Sequence, residues 1–134
     1  MKLQISSGDR QFLLHTAAAN PDEEVCGLLL GRDARVEALV PARNVAHDRG
    51  RSFEIDPATL LAAHRTARGA GQRVIGHWHS HPNGRAEPSA RDAARALDHG
   101  QLWLIIAAGD ITAWVPQADG AGPARFAPVA IQVA

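Results

Sequence analysis

From Arg73 to Asp92 the chain reads RVIGHWHSHPNGRAEPSARD, and no other stretch restricts its fold so tightly. RVIGHWH has the branched and aromatic content of a strand, and Pro82, which has no N–H to donate, stops it just after His81. Ser89-x-x-Asp92 before a run of alanines is a helix start, with a hydroxyl and a carboxylate that can cap each other's backbone N–H groups. Strand, loop and helix are thereby fixed in order. Because successive strand side chains point to opposite faces, Ile75, His77, His79 and His81 are expected on one side, with Val74, Gly76 and Trp78 on the other.

The remaining elements follow from periodicity and punctuation. Ser7 is expected to cap a helix carrying Phe12, Leu13, Ala17 and Ala18, ended by Asn20-Pro21. VCGLLLG and RVEALVP read as two strands of a hairpin, turning at Arg32 to Ala34. Asp56-Pro57 starts a second helix, continued by Leu60, Leu61 and His64 and ended by Gly69 and Gly71. The helix from Ser89 continues through Ala93, Ala94, Ala96 and Leu97 to Gly100. QLWLIIAA and ITAWVP pair through Gly109-Asp110, DGAGP at 119–123 is a loop, and a last strand covers Phe126–Val133. The expected architecture is α/β: one domain over residues 1–134, with a mixed β-sheet flanked by helices.

Composition matters mainly for what it removes. Fourteen basic residues balance fourteen acidic ones, so no clustered positive charge argues for nucleic acid or an anionic membrane surface. MKLQISSGDRQ lacks the apolar run of a signal peptide, and no window approaches the roughly 20 apolar residues of a spanning helix. The single cysteine, Cys26, excludes an internal disulfide and fits a reducing compartment, so the cytoplasm is the expected location. A chain of 134 residues can bury a core without a structural metal, so any metal it binds is expected to be functional.

His79 and His81 can converge on one ion, and two imidazoles need at least one further ligand, for which Asp92 is the candidate. The plainer readings are two partly exposed strand histidines and a helix cap. A residue in the first helical turn can cap and still present an oxygen to an ion. Hydrolysis at such a site also needs a base. Among Asp22, Glu23, Glu24, Glu37 and Glu54, Glu24 stands at the start of the strand meant for the core, where a carboxylate has no packing reason to be; the plainer reading makes it the solvated end of a loop.

Glu24-Val25-Cys26-Gly27 with LLLG, His79-Ser80-His81-Pro82, and Ser89-Ala90-Arg91-Asp92, with ten residues intervening between His81 and Asp92, together resemble the JAMM (MPN+, Mov34/PAD-1) zinc metalloproteases, above all their compact prokaryotic members. ARNVAHDRGRSFEIDP at 42–57 extends the likeness, which covers roughly residues 10–115. The resemblance implies one Zn²⁺ held by His79, His81 and Asp92 with a catalytic water in the fourth position. It implies Glu24 as the general base and Ser89 as a hydrogen-bond donor to the oxyanion. The family does not use the position of His77 for metal, and at about 3.3 Å per residue His77 lies roughly 13 Å along the strand from His81. His77 is therefore read as a core or supporting histidine, Trp78 as core, and Cys26 as a small buried hydrophobe.

By the same resemblance the substrate is an adduct of a small ubiquitin-like or sulfur-carrier protein, cut after its Gly-Gly tail as a peptide or isopeptide bond. Only eight residues, Val45 to Ser52, separate Asn44 from Phe53, which leaves little room for the insertions that grip polyubiquitin. Phe53, Asn44 and Arg85 are read as lining the approach to the metal. Other readings remain open on sequence: a phage-tail, cell-wall or defence-system peptidase, an iron facial-triad oxygenase, and a non-catalytic binding domain.

Overall fold

In the computed structural model, which describes residues 1–96, 101–117 and 125–134, the elements run β1 (Lys2–Ile5), α1 (Ser7–Ala19), β2 (Cys26–Arg32), β3 (Arg35–Ala42), α2 (Pro57–Gly69), β4 (Arg73–Ser80), α3 (Ala90–Arg95), β5 (Leu102–Ala107), β6 (Asp110–Gln117) and β7 (Arg125–Val133). The expected α/β architecture is present, with a mixed sheet whose neighbours are β1-β3-β2-β4-β5-β6-β7. The sheet closes on itself because β1 pairs in parallel with both β3 and β7. This first strand is missing from the sequence reading. KLQI is four residues long, with Leu3 and Ile5 buried, and a run so short carries little periodic signal until β7 lies beside it.

Other boundaries moved for local reasons. The cap of α1 is Ser6 and not Ser7, its hydroxyl accepting the Asp9 N–H at 3.0 Å. Asp56 does precede α2, with Pro57 opening it, but its carboxylate accepts the Thr59 hydroxyl at 2.9 Å instead of a backbone N–H. The β5–β6 turn is centred on Ala108-Gly109, with φ of +50° and +79°, one residue before the expected pair. Helix α3 ends at Arg95, and the expected continuation through Leu97 to Gly100, like the loop at 119–123, lies outside the described residues.

The strict alternation expected along β4 fails at its start. A bulge opposite Leu29 and Leu30 leaves Ile75 without a ladder partner and turns it toward Trp78, Leu29 and Leu102, while Val74 packs with Leu28, Leu30, Ala63 and Ala67 under α2. Beyond the bulge the order is regular: His77 and His79 share a face with Leu28 and Cys26, their partners in β2. Trp78 fills the opposite face at 1% exposure, and Gly27 is glycine because a Cβ there would collide with the indole and with the Val40 carbonyl. Among the described residues no helix is long and apolar enough to cross a membrane.

Candidate metal centre

The carboxyl end of β4 lies between the amino end of antiparallel β2 and the carboxyl end of parallel β5. Cys26 faces His79 in the ladder, so a segment running two residues back along β2 comes level with His81, which is where Glu24 stands. Ser80 fixes that approach. Its N–H donates to the Val25 carbonyl at 3.0 Å, and its hydroxyl accepts the Val25 N–H at 2.9 Å. On the far side, the loop after Pro82 returns through Ser89 into α3. The Ser89 hydroxyl accepts the Asp92 N–H at 3.0 Å, and Asp92 Oδ2 accepts the Ser89 N–H at 2.8 Å, so the cap foreseen from Ser-x-x-Asp aims the Asp92 carboxylate back at the strand end.

Three side chains meet there. His79 Nε2 and His81 Nε2 are 3.0 Å apart, and Asp92 Oδ2 is 3.4 Å from the first and 3.1 Å from the second. All are buried, His79 completely. The ligand atoms of Glu24, His79 and His81 lie within 4.8 Å of one another, so the fourth residue borders the triangle from the β2 side.

The donor set fits a divalent cation. His81 Nδ1 is 2.7 Å from the Arg85 carbonyl, which can only accept, so that nitrogen carries a proton, and in its neutral form His81 turns an Nε2 lone pair toward the Asp92 carboxylate. A lone pair facing a carboxylate needs a positive centre between them, which a proton on Nε2 or a metal ion supplies. Tetrahedral ligands with bonds of about 2.0–2.2 Å stand about 3.3 Å apart, close to the three edges found here. Iron, copper or nickel would accept similar nitrogen and oxygen donors.

Electrostatics follow burial. Desolvation pushes the Glu24 carboxyl up to about 7, against the pull of His81, and one of its oxygens, Oε1, is buried with no partner among the described residues. Burial lowers the His79 pKa despite its Asp92 contact, favouring the neutral form that ligates metal. For His81 burial acts downward as well, but Asp92 and the Arg85 carbonyl outweigh it and the net direction is upward. Asp92 would be raised by burial, yet the two imidazoles hold it well below the usual carboxylate range.

His77 stays outside this triangle. Its ring meets Trp103 edge-on at 4.3 Å, burial lowers its pKa to about 3, and it lines a cavity of about 480 Å³ with Phe53, Trp103, Arg91, Arg95 and Asp92. That volume is within the range of small-ligand sites. Cys26 is 1% exposed, and burial with the nearby Glu24 pushes its thiol up to about 12, so no thiolate is available as a nucleophile. Sequence reasoning underestimated Phe53. Its ring stacks on His79 at 4.2 Å with planes 19° apart, and its carbonyl accepts from Arg95 on α3 at 2.9 Å. Nothing in the order of residues 45–54 says where that ring will land. Arg85 acts here through its carbonyl, which no side-chain pattern reveals.

The family model described as prokaryotic homologs of the JAB domain matches residues 8–117. The chain belongs to this family. Among curated JAB-type relatives, a desampylase of Haloferax volcanii is 41% identical over 91 residues, covering 66% of this chain and 66% of the relative. A probable TtuB-protein conjugate cleaving protease of Thermus thermophilus is 37% identical over 82 residues, 61% of this chain and 54% of its own length. The match thus spans about two thirds or less of these relatives. A solved structure from Desulfitobacterium hafniense aligns over 100% of this chain and 93% of its own, with a TM-score of 0.83 and 29% identity. The JAB-type membership agrees with the motif read from Glu24 to Asp92.

Proposed function

We propose that the chain, acting as one domain in the cytoplasm, is a zinc-dependent hydrolase that cuts the peptide or isopeptide bond joining the Gly-Gly tail of a small ubiquitin-like or sulfur-carrier protein to its adduct. One observation carries the reading: three buried donor atoms stand 3.0–3.4 Å apart with a buried, raised-pKa carboxyl beside them. The names of the relatives, a desampylase and a conjugate-cleaving protease, support the substrate class.

His79, His81 and Asp92 would hold the ion, Asp92 being preferred over Glu24 as third ligand because its oxygen is within 3.4 Å of both imidazoles. When bound, the ion supplies Lewis acidity, polarising a carbonyl and making water acidic near neutral pH. Glu24, with its pKa near 7, takes one proton from the attacking water as the new C–O bond forms. It returns that proton to the nitrogen as the C–N bond breaks, which frees an amine and a carboxylic acid that then loses its proton to solvent. Ser89 uses its oxygen to accept the Asp92 N–H, which leaves its own proton for the developing oxyanion. The cavity walled by Phe53, His77 and Trp103 takes the substrate beside the scissile bond.

The test is to load the purified protein with zinc and present sulfur-carrier or ubiquitin-like adducts linked through Gly-Gly. Release of the free carrier by wild type, and none by a Glu24→Gln variant that keeps its metal, is the expected result. Intact adducts in both samples would sink the reading. Elemental analysis separates zinc from the iron of an oxygenase.

A further inference from the structure

Asn44 uses every hydrogen-bonding capacity of its side chain. Nδ2 donates to the Glu24 carbonyl at 2.8 Å and to the Ser52 carbonyl at 3.0 Å, while Oδ1 accepts from the Ala46 N–H at 3.0 Å and the Glu54 N–H at 3.1 Å. A carboxamide has two N–H donors and two lone pairs, so none is spare. The backbone adds to the arrangement. Asn44 forms an isolated antiparallel bridge with Ile55, Val45 N–H donates to the Glu54 carbonyl at 2.9 Å, and Asp56 N–H donates to the Arg43 carbonyl at 3.2 Å. The segment from 43 to 56 is thus a closed loop with Asn44 at its neck.

Two parts of the candidate centre depend on that neck. Glu24 precedes β2, outside the regular ladder, and its carbonyl is held by Asn44 while its N–H donates to the Arg49 carbonyl at 2.7 Å, also within the loop. Phe53 lies between the two residues that Asn44 grips, Ser52 and Glu54, and its ring is the one stacked on His79. A single half-buried side chain therefore ties the segment carrying the acid to the segment carrying the aromatic cover of an imidazole.

We propose that Asn44 is a positioning residue for the hydrolysis described above, setting the Glu24 carboxylate and the Phe53 ring relative to His79. This rests on the hydrolase reading. Within the loop, the acceptor half holds Ala46 and Glu54 and one donor bond holds Ser52, while the other donor bond alone crosses to Glu24. Positioning Glu24 needs the donor half. Asn44→Asp is isosteric and sets oxygen against the Glu24 and Ser52 carbonyls, removing the link to Glu24 while the Ala46 and Glu54 bonds and the backbone bonds from Val45 to Glu54 and from Asp56 to Arg43 still hold the neck of the loop.

Asn44→Ala and Asn44→Asp, both zinc-loaded, are compared with wild type. In both, kcat is expected to fall on the order of ten- to a hundredfold, with KM within about threefold and zinc content unchanged. The ring protons of His79, shifted by the stacked Phe53, are expected to move toward unstacked values in NMR spectra of the same samples. Should Asn44→Asp retain wild-type kcat and His79 shifts, or should turnover per bound zinc be unchanged, the proposal is overturned. If wild type cleaves no adduct, the hydrolase reading fails separately. The NMR shifts then decide Asn44's positioning of Phe53 without turnover: unmoved shifts refute it.

Discussion

A carboxyl group at 6% exposure, next to two imidazoles and raised to about 7, is costly to fold unless its protonation state is used. That reasoning predicts that Glu24→Gln, which preserves shape and burial, lowers turnover by about 10²–10⁴-fold, the usual contribution of a general base. Metal content by elemental analysis should stay at the wild-type value, because the Asp92 triangle is untouched. Cys26 offers a second residue-scale check. With its thiol held near 12 and its Sγ against the Ala42 carbonyl at 3.8 Å, it should resist alkylation at mildly alkaline pH in the native protein and react fully in denaturant, as mass spectrometry would report. Residue type and spacing singled out Glu24, His79, His81 and Asp92 as candidates, and the structure brings the side chains of the last three within 3.4 Å of one another. The contributions of Asn44 and the Arg85 carbonyl were not legible in this way, since the partners of each are set by the folded loops.

The short helix α3 depends on its start more than on its length. Six residues are too few for a stable helix in isolation, so the reciprocal Ser89–Asp92 bonds and the contact of Arg95 with Phe53 hold it in place. Ser89→Ala is expected to cost about 1 kcal/mol of stability from the lost cap, measured by the denaturant midpoint. It should also lower kcat by more than that loss explains, while Ser89→Thr preserves both. On β2, Gly27→Ala tests how closely Trp78 and the Val40 carbonyl approach the strand. Overpacking of this kind typically costs about 1–3 kcal/mol, so thermal unfolding should shift downward by several degrees with the metal site intact. Element types followed well from the pattern because strand alternation and helix punctuation are local signals. The bulge at Ile75 escaped it, because a bulge is a mismatch between two strands and leaves no mark on one of them.

At the scale of the whole molecule, the core does not need the ion. Leu3, Leu13, Leu29, Trp78, Leu104 and Ile106 form a continuous apolar interior drawn from four strands and α1. Chelation should therefore abolish turnover, restored by added zinc, without unfolding the chain. Because an ion held by the folded triangle binds the native state preferentially, its removal should still lower the unfolding temperature; the effect is about 2.7 kcal/mol at a hundredfold excess over the dissociation constant. An unchanged melting curve with and without metal would argue that the triangle holds no ion. The sequence alone determined the donor chemistry, since which side chains can ligate or accept a proton is a property of residue type, and a proline and a capping box set the strand end and helix start that carry them. Only the tertiary structure decided that β1 closes the sheet, that the bulge turns Ile75 away from the histidine face, that Phe53 lies on His79, and that a single amide joins Glu24 to the loop bearing that ring. Those contacts join residues far apart in the chain, and their register is set by the packing of several strands and loops at once, which no local pattern encodes.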